Sequence, residues 1–337
     1  MNLAKAEFRR LFKRRLTRLM LVLMVLGLGA IVVSFTLASQ PTGPAQRAAA
    51  EAKAQQQYEE QLRYHQEAVA DCEAAQARGE NTDSRYPPDC GRDYVPQRDQ
   101  FMAEWFLPYQ FDFKAEFGVF VSVFAGIVAL FGFIVGASYV GAEWNTGGMM
   151  NLLLWRPRRL PVLLTKLGVL LGSVLGISVV LGALWTVAFW LIGKYDGTIA
   201  GMTSGTWQSL AITGARGIGL VLAVTAVAFG LASLGRHTAM ALGAAVGIGV
   251  VSEVGLRIAL NIVGVSFPDR FVLSSYAVAW FNKTYTLFDW NSCQFSMGAC
   301  EPAEWVVTWQ QSAVLFGVGV VAVLGAALWT MRSRDIT

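Results

Sequence analysis

An all-α, polytopic membrane fold follows from three features of the chain. Of its 337 residues 54% are hydrophobic and only 15% are charged, well below the roughly 25% charge of ordinary soluble domains. The apolar residues are bunched into six stretches, each long enough to cross about 30 Å of hydrocarbon at about 1.5 Å per residue. Five of them contain a window, 19–39, 117–142, 167–193, 217–235 and 306–331, that lacks any Asp, Glu, Lys or Arg. Alternating β-barrel strands of about 10 residues do not give runs this long, which leaves helices as the spanning structure that satisfies its own backbone in lipid.

Residues 1–18 are expected to form an elbow helix in the cytoplasmic interface. Phe8, Leu11, Phe12, Leu16 and Leu19 share one face, with Arg9, Arg10, Lys13, Arg14 and Arg18 on the other, turned toward anionic lipid head groups. The first span is 19–39; its apolar run exceeds the 7–15 residues of a cleavable signal, so it is expected to stay as a helix. The segment 40–116 then reads as a helical hairpin outside the membrane. An Ala-, Glu- and Gln-rich stretch from Pro44 to Ala77 has strong helix formers throughout, and Gly79 is a natural stop. A proline-bearing return follows, and then Phe101, Trp105, Phe106, Tyr109, Phe111 and Phe113, expected to rest on the membrane surface.

The remaining spans are read at 117–142, 167–193, 214–235, 238–265 and 306–331. Between them lie an inside loop at 143–166, short outside residues at 194–213, a second outside loop at 266–305 and an inside tail at 332–337. With both termini cytoplasmic, four short inside pieces hold 14 of the 27 basic residues, the asymmetry that orients membrane proteins. The long segment 40–116 carries 8 basic against 14 acidic residues and crosses regardless of charge. Cys72 and Cys90 fall in the first outside segment and Cys293 and Cys300 in the last. Four cysteines confined to the oxidising side read as two disulfides, with connectivity open; a Cys72–Cys90 bridge would pin the hairpin. Asn282-Lys283-Thr284 matches a glycosylation sequon and is read as a chance match.

Chemistry-bearing clusters are sparse. The two histidines, His65 and His237, are far apart, and there is no HExxH motif or Cys/His cluster, so no metal or cofactor is expected in the chain. Ser34, Ser122, Ser173 and Ser178 are ordinary for packed membrane helices, and an enzymatic role is not expected. Glu253 and Arg257 lie four apart in the fifth span with the acid first, and are expected to form a buried intrahelical ion pair.

The loop 143–166 is the most informative stretch. Thr146 or Asn145 caps a short apolar helix in this reading, Pro157 ends it, and the piece is stranded among cytoplasmic charges. It must bury itself in the interface or in a partner's groove. An acid after the second span, a Thr-Gly turn, an apolar helix, Arg-Pro followed by further arginines and Lys166 opening the third span resemble the ABC-2 type permeases of ABC exporters. The Arg334-Asp335-Ile336 tail is similar to theirs as well. The resemblance covers essentially the whole chain. It implies a permease dimer, homo- or heteromeric, in the cell (plasma or inner) membrane. ATP and Mg would be bound by a separate ABC ATPase subunit, since the chain contains no phosphate loop. It further implies that the loop helix couples the two, through Glu143, Trp144, Asn145, Thr146, Gly147, Met149, Met150, Leu153, Leu154, Arg156, Pro157 and Arg158. Membrane lipids are the other expected partner, and no nucleic acid is. A non-transporting scaffold or sensor using the outside hairpin is the competing reading.

Overall fold

The computed structural model describes residues 3–79, 86–87, 89–155, 158–289 and 301–333, with side chains omitted at 153–155. Cys293 and Cys300, the helix-ending Pro157, Arg156 and the 334–337 tail therefore lie outside the described residues, as do the side chains of Leu153 and Leu154. Six helices are long and apolar enough to cross a membrane. The protein is a multi-pass, all-α membrane protein, and its one sheet among the described residues is a two-stranded antiparallel ribbon.

In chain order the helices are α1 (Leu3–Lys13), α2 (Arg15–Ala38), α3 (Pro44–Ala77), α4 (Phe113–Asn145), α5 (Gly148–Trp155), α6 (Arg159–Tyr195) and α7 (Ser204–Gly235). The fifth candidate span is composite: α8 (Thr238–Gly249), a π-wound stretch Val250–Leu256, and α9 (Arg257–Ile262). After it come a short helix α10 (Leu273–Asn282), strands β1 (Thr284–Asp289) and β2 (Ala303–Thr308), and α11 (Trp309–Ser333). The described part of the outside loop read at 266–305 thus holds a helix and two strands. Ala279, Leu287 and Val307 form a small apolar core there, with Phe267 and Tyr276 against it.

The chain divides into two compact units. One comprises residues 1–32, 114–189 and 200–337. Within it α4 and α7 approach very closely: a Cβ added at Gly136 would lie 2.9 Å from the Thr225 backbone oxygen. Only glycine lets two helix backbones meet this way. At Gly141 the same atom would lie 2.5 Å from the Thr238 backbone nitrogen, which ties the end of α4 to the turn opening α8. Phe120 stacks on Phe189 at 4.5 Å and Phe124 tilts against Trp185 at 5.8 Å, joining α4 to α6 through ring contacts worth about 0.5–1.5 kcal/mol each beyond burial.

The other unit comprises residues 33–113 and 190–199. Its backbone is α3, ended where Gly79 takes φ +70°. The return segment lies along α3: Tyr58 meets Phe101 at 5.9 Å, Arg98 donates to Gln55 at 2.9 Å, and a Cys72–Cys90 disulfide closes the end. At the other end Ser39 donates to the Asp196 carbonyl at 2.7 Å and accepts from the Phe111 N–H at 3.0 Å. Of the aromatic residues expected on a membrane surface, Phe111 and Phe113 are instead fully buried, while Trp105 is exposed. The Phe111–Thr198 and Thr198–Phe113 backbone bonds fold that segment inward, against Gly197.

Candidate functional site

The site begins from an acid that the sequence reading passed over. On α1, Glu7 and Leu11 are one turn apart and both buried, whereas Phe8 is half exposed. The inward face of α1 is therefore set by a carboxylate as well as by leucine. Glu7 accepts from the Lys166 ammonium at 2.7 Å and from the Tyr139 hydroxyl at 2.7 Å, with Arg10 of its own helix at 3.3 Å. Lys166 also pairs with Glu143 at 2.7 Å, and Glu143 pairs with Arg14 at 2.8 Å. Arg14 donates in addition to the Ser138 carbonyl at 3.0 Å.

Two acids and two bases thus form a chain, Glu7–Lys166–Glu143–Arg14, around the face of Tyr139. Both cations stand about 5.1 Å from that ring, a distance at which each gains from its negative face. Glu7 and Lys166 have no exposed side-chain surface. Burial alone would push the Glu7 carboxyl up, but the Lys166 ammonium and Tyr139 hydroxyl outweigh it and hold the group below its ordinary range. The network fastens α1, the start of α2, the end of α4 and the first turns of α6 together. Arg14, expected on the lipid-facing side of the elbow, is turned inward by Glu143; a guanidinium beside a buried carboxylate is worth more there than in the head-group layer.

One turn beyond Glu143, α4 ends and α5 begins. Thr146 does not cap α5; its hydroxyl donates back to the Ala142 carbonyl at 3.0 Å and closes α4. Gly147, at φ +70°, makes the corner. Asn145 is exposed beside it. Met149 is fully buried and so anchors α5, while Met150 is 39% exposed on the other side of the helix. Trp144 lies under the Arg236 guanidinium at 5.0 Å, and Arg158 is exposed just before α6. Between α1 and α5 runs a crevice of about 760 Å³ whose walls include Arg10, Lys13, Arg14, Glu143, Asn151 and Leu152. With three bases against one acid, it presents a basic surface.

The sequence model of the ABC-2 family transporter protein matches residues 1–284, which include the whole ion network, α5 and the crevice. The chain belongs to the ABC-2 transporter family. It is a membrane-spanning permease component of an ABC transporter. Comparison with curated proteins and with solved structures returned no match.

The ABC-2 permease does not contain the expected Glu253–Arg257 pair. Glu253 accepts from the Ser274 N–H at 2.9 Å, and its neighbour Ser252 accepts from the Leu273 N–H at 3.4 Å. Together they satisfy two of the unpaired donors at the start of α10, where a negative charge is favoured. Arg257 pairs with Asp269 at 2.8 Å and is more than half exposed. Each side chain is thus taken by the segment that follows the span, Glu253 by the backbone opening α10 and Arg257 by Asp269. A further cation within a candidate span went unremarked: Arg216 of α7 lies 4.9 Å over the Trp309 ring. The permease has no group of three or more His, Cys, Asp or Glu side chains able to hold a metal among the described residues.

Proposed function

We propose that this permease is the transmembrane subunit of an ATP-driven exporter. Two such chains enclose the pathway, and a separate ATPase subunit, which binds ATP and Mg, docks on the cytoplasmic side through α5. The observation that carries the reading is how α5 is attached. It leaves α4 one turn after Glu143, and Glu143 is bonded through Arg14 and Lys166 to the first two helices and to α6. A force applied to α5 is therefore delivered to three spans and the elbow at once. The exposed Met150 beside a basic crevice suits a partner surface that offers an apolar contact ringed by acidic side chains.

The termini are placed in the cytoplasm and the chain in the cell membrane. This is supported by the basic bias of the inside pieces and by the Cys72–Cys90 disulfide, which belongs on the oxidising side. Pairing with a second permease chain rests on membership of the ABC-2 family.

The test is recovery of tagged protein from native membranes in mild detergent, followed by assay of Mg-dependent ATP hydrolysis. Hydrolysis should co-elute with the wild-type protein and be lost with Met150→Asp, while that variant still inserts. Equal ATPase capture by wild type, Met150→Asp and Glu143→Ala would overturn docking through this loop.

A further inference from the structure

Away from the ion network, α4, α6 and α7 enclose a cavity of about 490 Å³. That volume falls in the range of about 300–1,000 Å³ typical of small-molecule sites. Its inner wall is buried and apolar: Phe117, Val121, Trp185 and Val221 are each less than 10% exposed. Its mouth is flanked by small, exposed positions on α6 and α7, namely Ala183, Ala211 and Ala215. The recess exists because bulk is missing on one side: a Cβ added at Gly214 would meet nothing within 4 Å.

The lining contains no charged side chain. Its hydroxyls are already committed to their own helices, Ser178 donating to Val174 and Thr186 to Gly182, and the Trp185 indole N–H donates to the Phe120 carbonyl at 3.2 Å. An ionic or strongly polar ligand would lose its hydration there without replacement. The lining runs from Trp207 to Val221 on α7, about 21 Å at about 1.5 Å per residue, so the recess is long as well as apolar. The mouth opens between two outward-facing apolar helix surfaces, which in a membrane are bathed by hydrocarbon. An apolar cavity of this size left empty would forfeit the dispersion contacts of its whole wall.

We infer that the cavity is a binding site for a single hydrocarbon chain, entering sideways from the bilayer, with Trp207 at the end where a polar head would sit. The chain belongs either to a resident membrane lipid or to a single-chain amphiphile that the permease handles. Occupancy is read separately from transport, so this site stands or falls apart from the exporter reading.

The experiment uses the full chain in nanodiscs containing a trace of lysophosphatidylcholine with a diazirine on its acyl chain. Labelled positions are mapped by mass spectrometry. Label should reach Phe117, Val121 and Trp185 despite their burial, as well as lipid-facing controls such as Val22 on α2 and Val321 on α11. Gly214→Leu, and independently Ala183→Leu on the facing wall, should abolish labelling of the inner wall and leave the two controls labelled, which also reports that each variant is folded. Suppression of wall labelling by excess unlabelled lysophosphatidylcholine supports a handled amphiphile. Persistence under that competitor, together with equal labelling from a diazirine-bearing two-chain phosphatidylcholine, supports a resident lipid. Wild-type protein labelled only at Val22 and Val321, or filled variants that keep their wall label, would overturn the site.

Discussion

Lys166→Met is the sharpest probe of the ion network, because the ammonium it removes is fully buried and bridges two carboxylates, Glu7 and Glu143. After the change Glu143 keeps Arg14, but Glu7 is left buried with only the Tyr139 hydroxyl and the partly exposed Arg10. Breaking a buried pair from one side costs about 3–5 kcal/mol, roughly two to almost four orders of magnitude in the unfolding equilibrium. Glu7→Gln alone should cost less, about 1–3 kcal/mol, since Lys166 still has Glu143. The double variant should be more stable than the sum of the two losses predicts, by about 0.5–3 kcal/mol. Denaturation in detergent, followed by retention of the monodisperse species on size exclusion, measures all four proteins. The sign with pH is fixed too. A carboxyl held below its ordinary 4.5 contributes stability that is present above that value and is lost as pH falls through the lower folded value. Glu7→Gln should therefore flatten the acid limb of the stability profile. Lys166→Met within about 1 kcal/mol of wild type, or strict additivity in the double variant, would refute the idea that these groups act as one buried unit.

Reduction of Cys72–Cys90, which closes a loop with a sequence separation of 18, should destabilise the unit around α3 by about 3 kcal/mol and speed proteolysis of the return segment, with little change in membrane insertion. Glu253→Leu and Arg257→Leu should be additive within about 0.5 kcal/mol, since they have separate partners; a coupling above about 1 kcal/mol would show that they meet after all. Gly141→Ala should lower folded yield sharply because its Cβ would strike the Thr238 backbone, while Gly29→Ala, with nothing within 4 Å, should be close to neutral.

The six spans were legible because long uncharged runs admit one solution in lipid. The extent of α3 was legible as well, from its helix formers and the glycine beyond it. The network around Lys166 was not. Its bonds join residues 132 and 159 positions apart, and no periodicity within one element encodes such pairings. A local signal did exist: Glu7 is the one acid among the first 50 residues and shares the inward face of α1 with Leu11. The Glu253–Arg257 expectation failed for the converse reason. Spacing by four allows a pair but does not require it, and the partners that take the two groups, the Ser274 N–H and Asp269, lie 21 and 12 residues further on. The small core under α10 and the ribbon were hidden because strands of six residues joined by a long connection look like loop.

Coupling through α5 is tested most directly by a photoreactive amino acid at position 150, irradiated in native membranes that also contain a photoreactive ATP analogue. A cross-link should join position 150 to a separate subunit that is itself labelled by the nucleotide, and Glu143→Ala should weaken it. Cross-links confined to lipid or to the permease's own chain, in membranes where the Cys72–Cys90 bridge shows the protein folded, would contradict coupling through this helix.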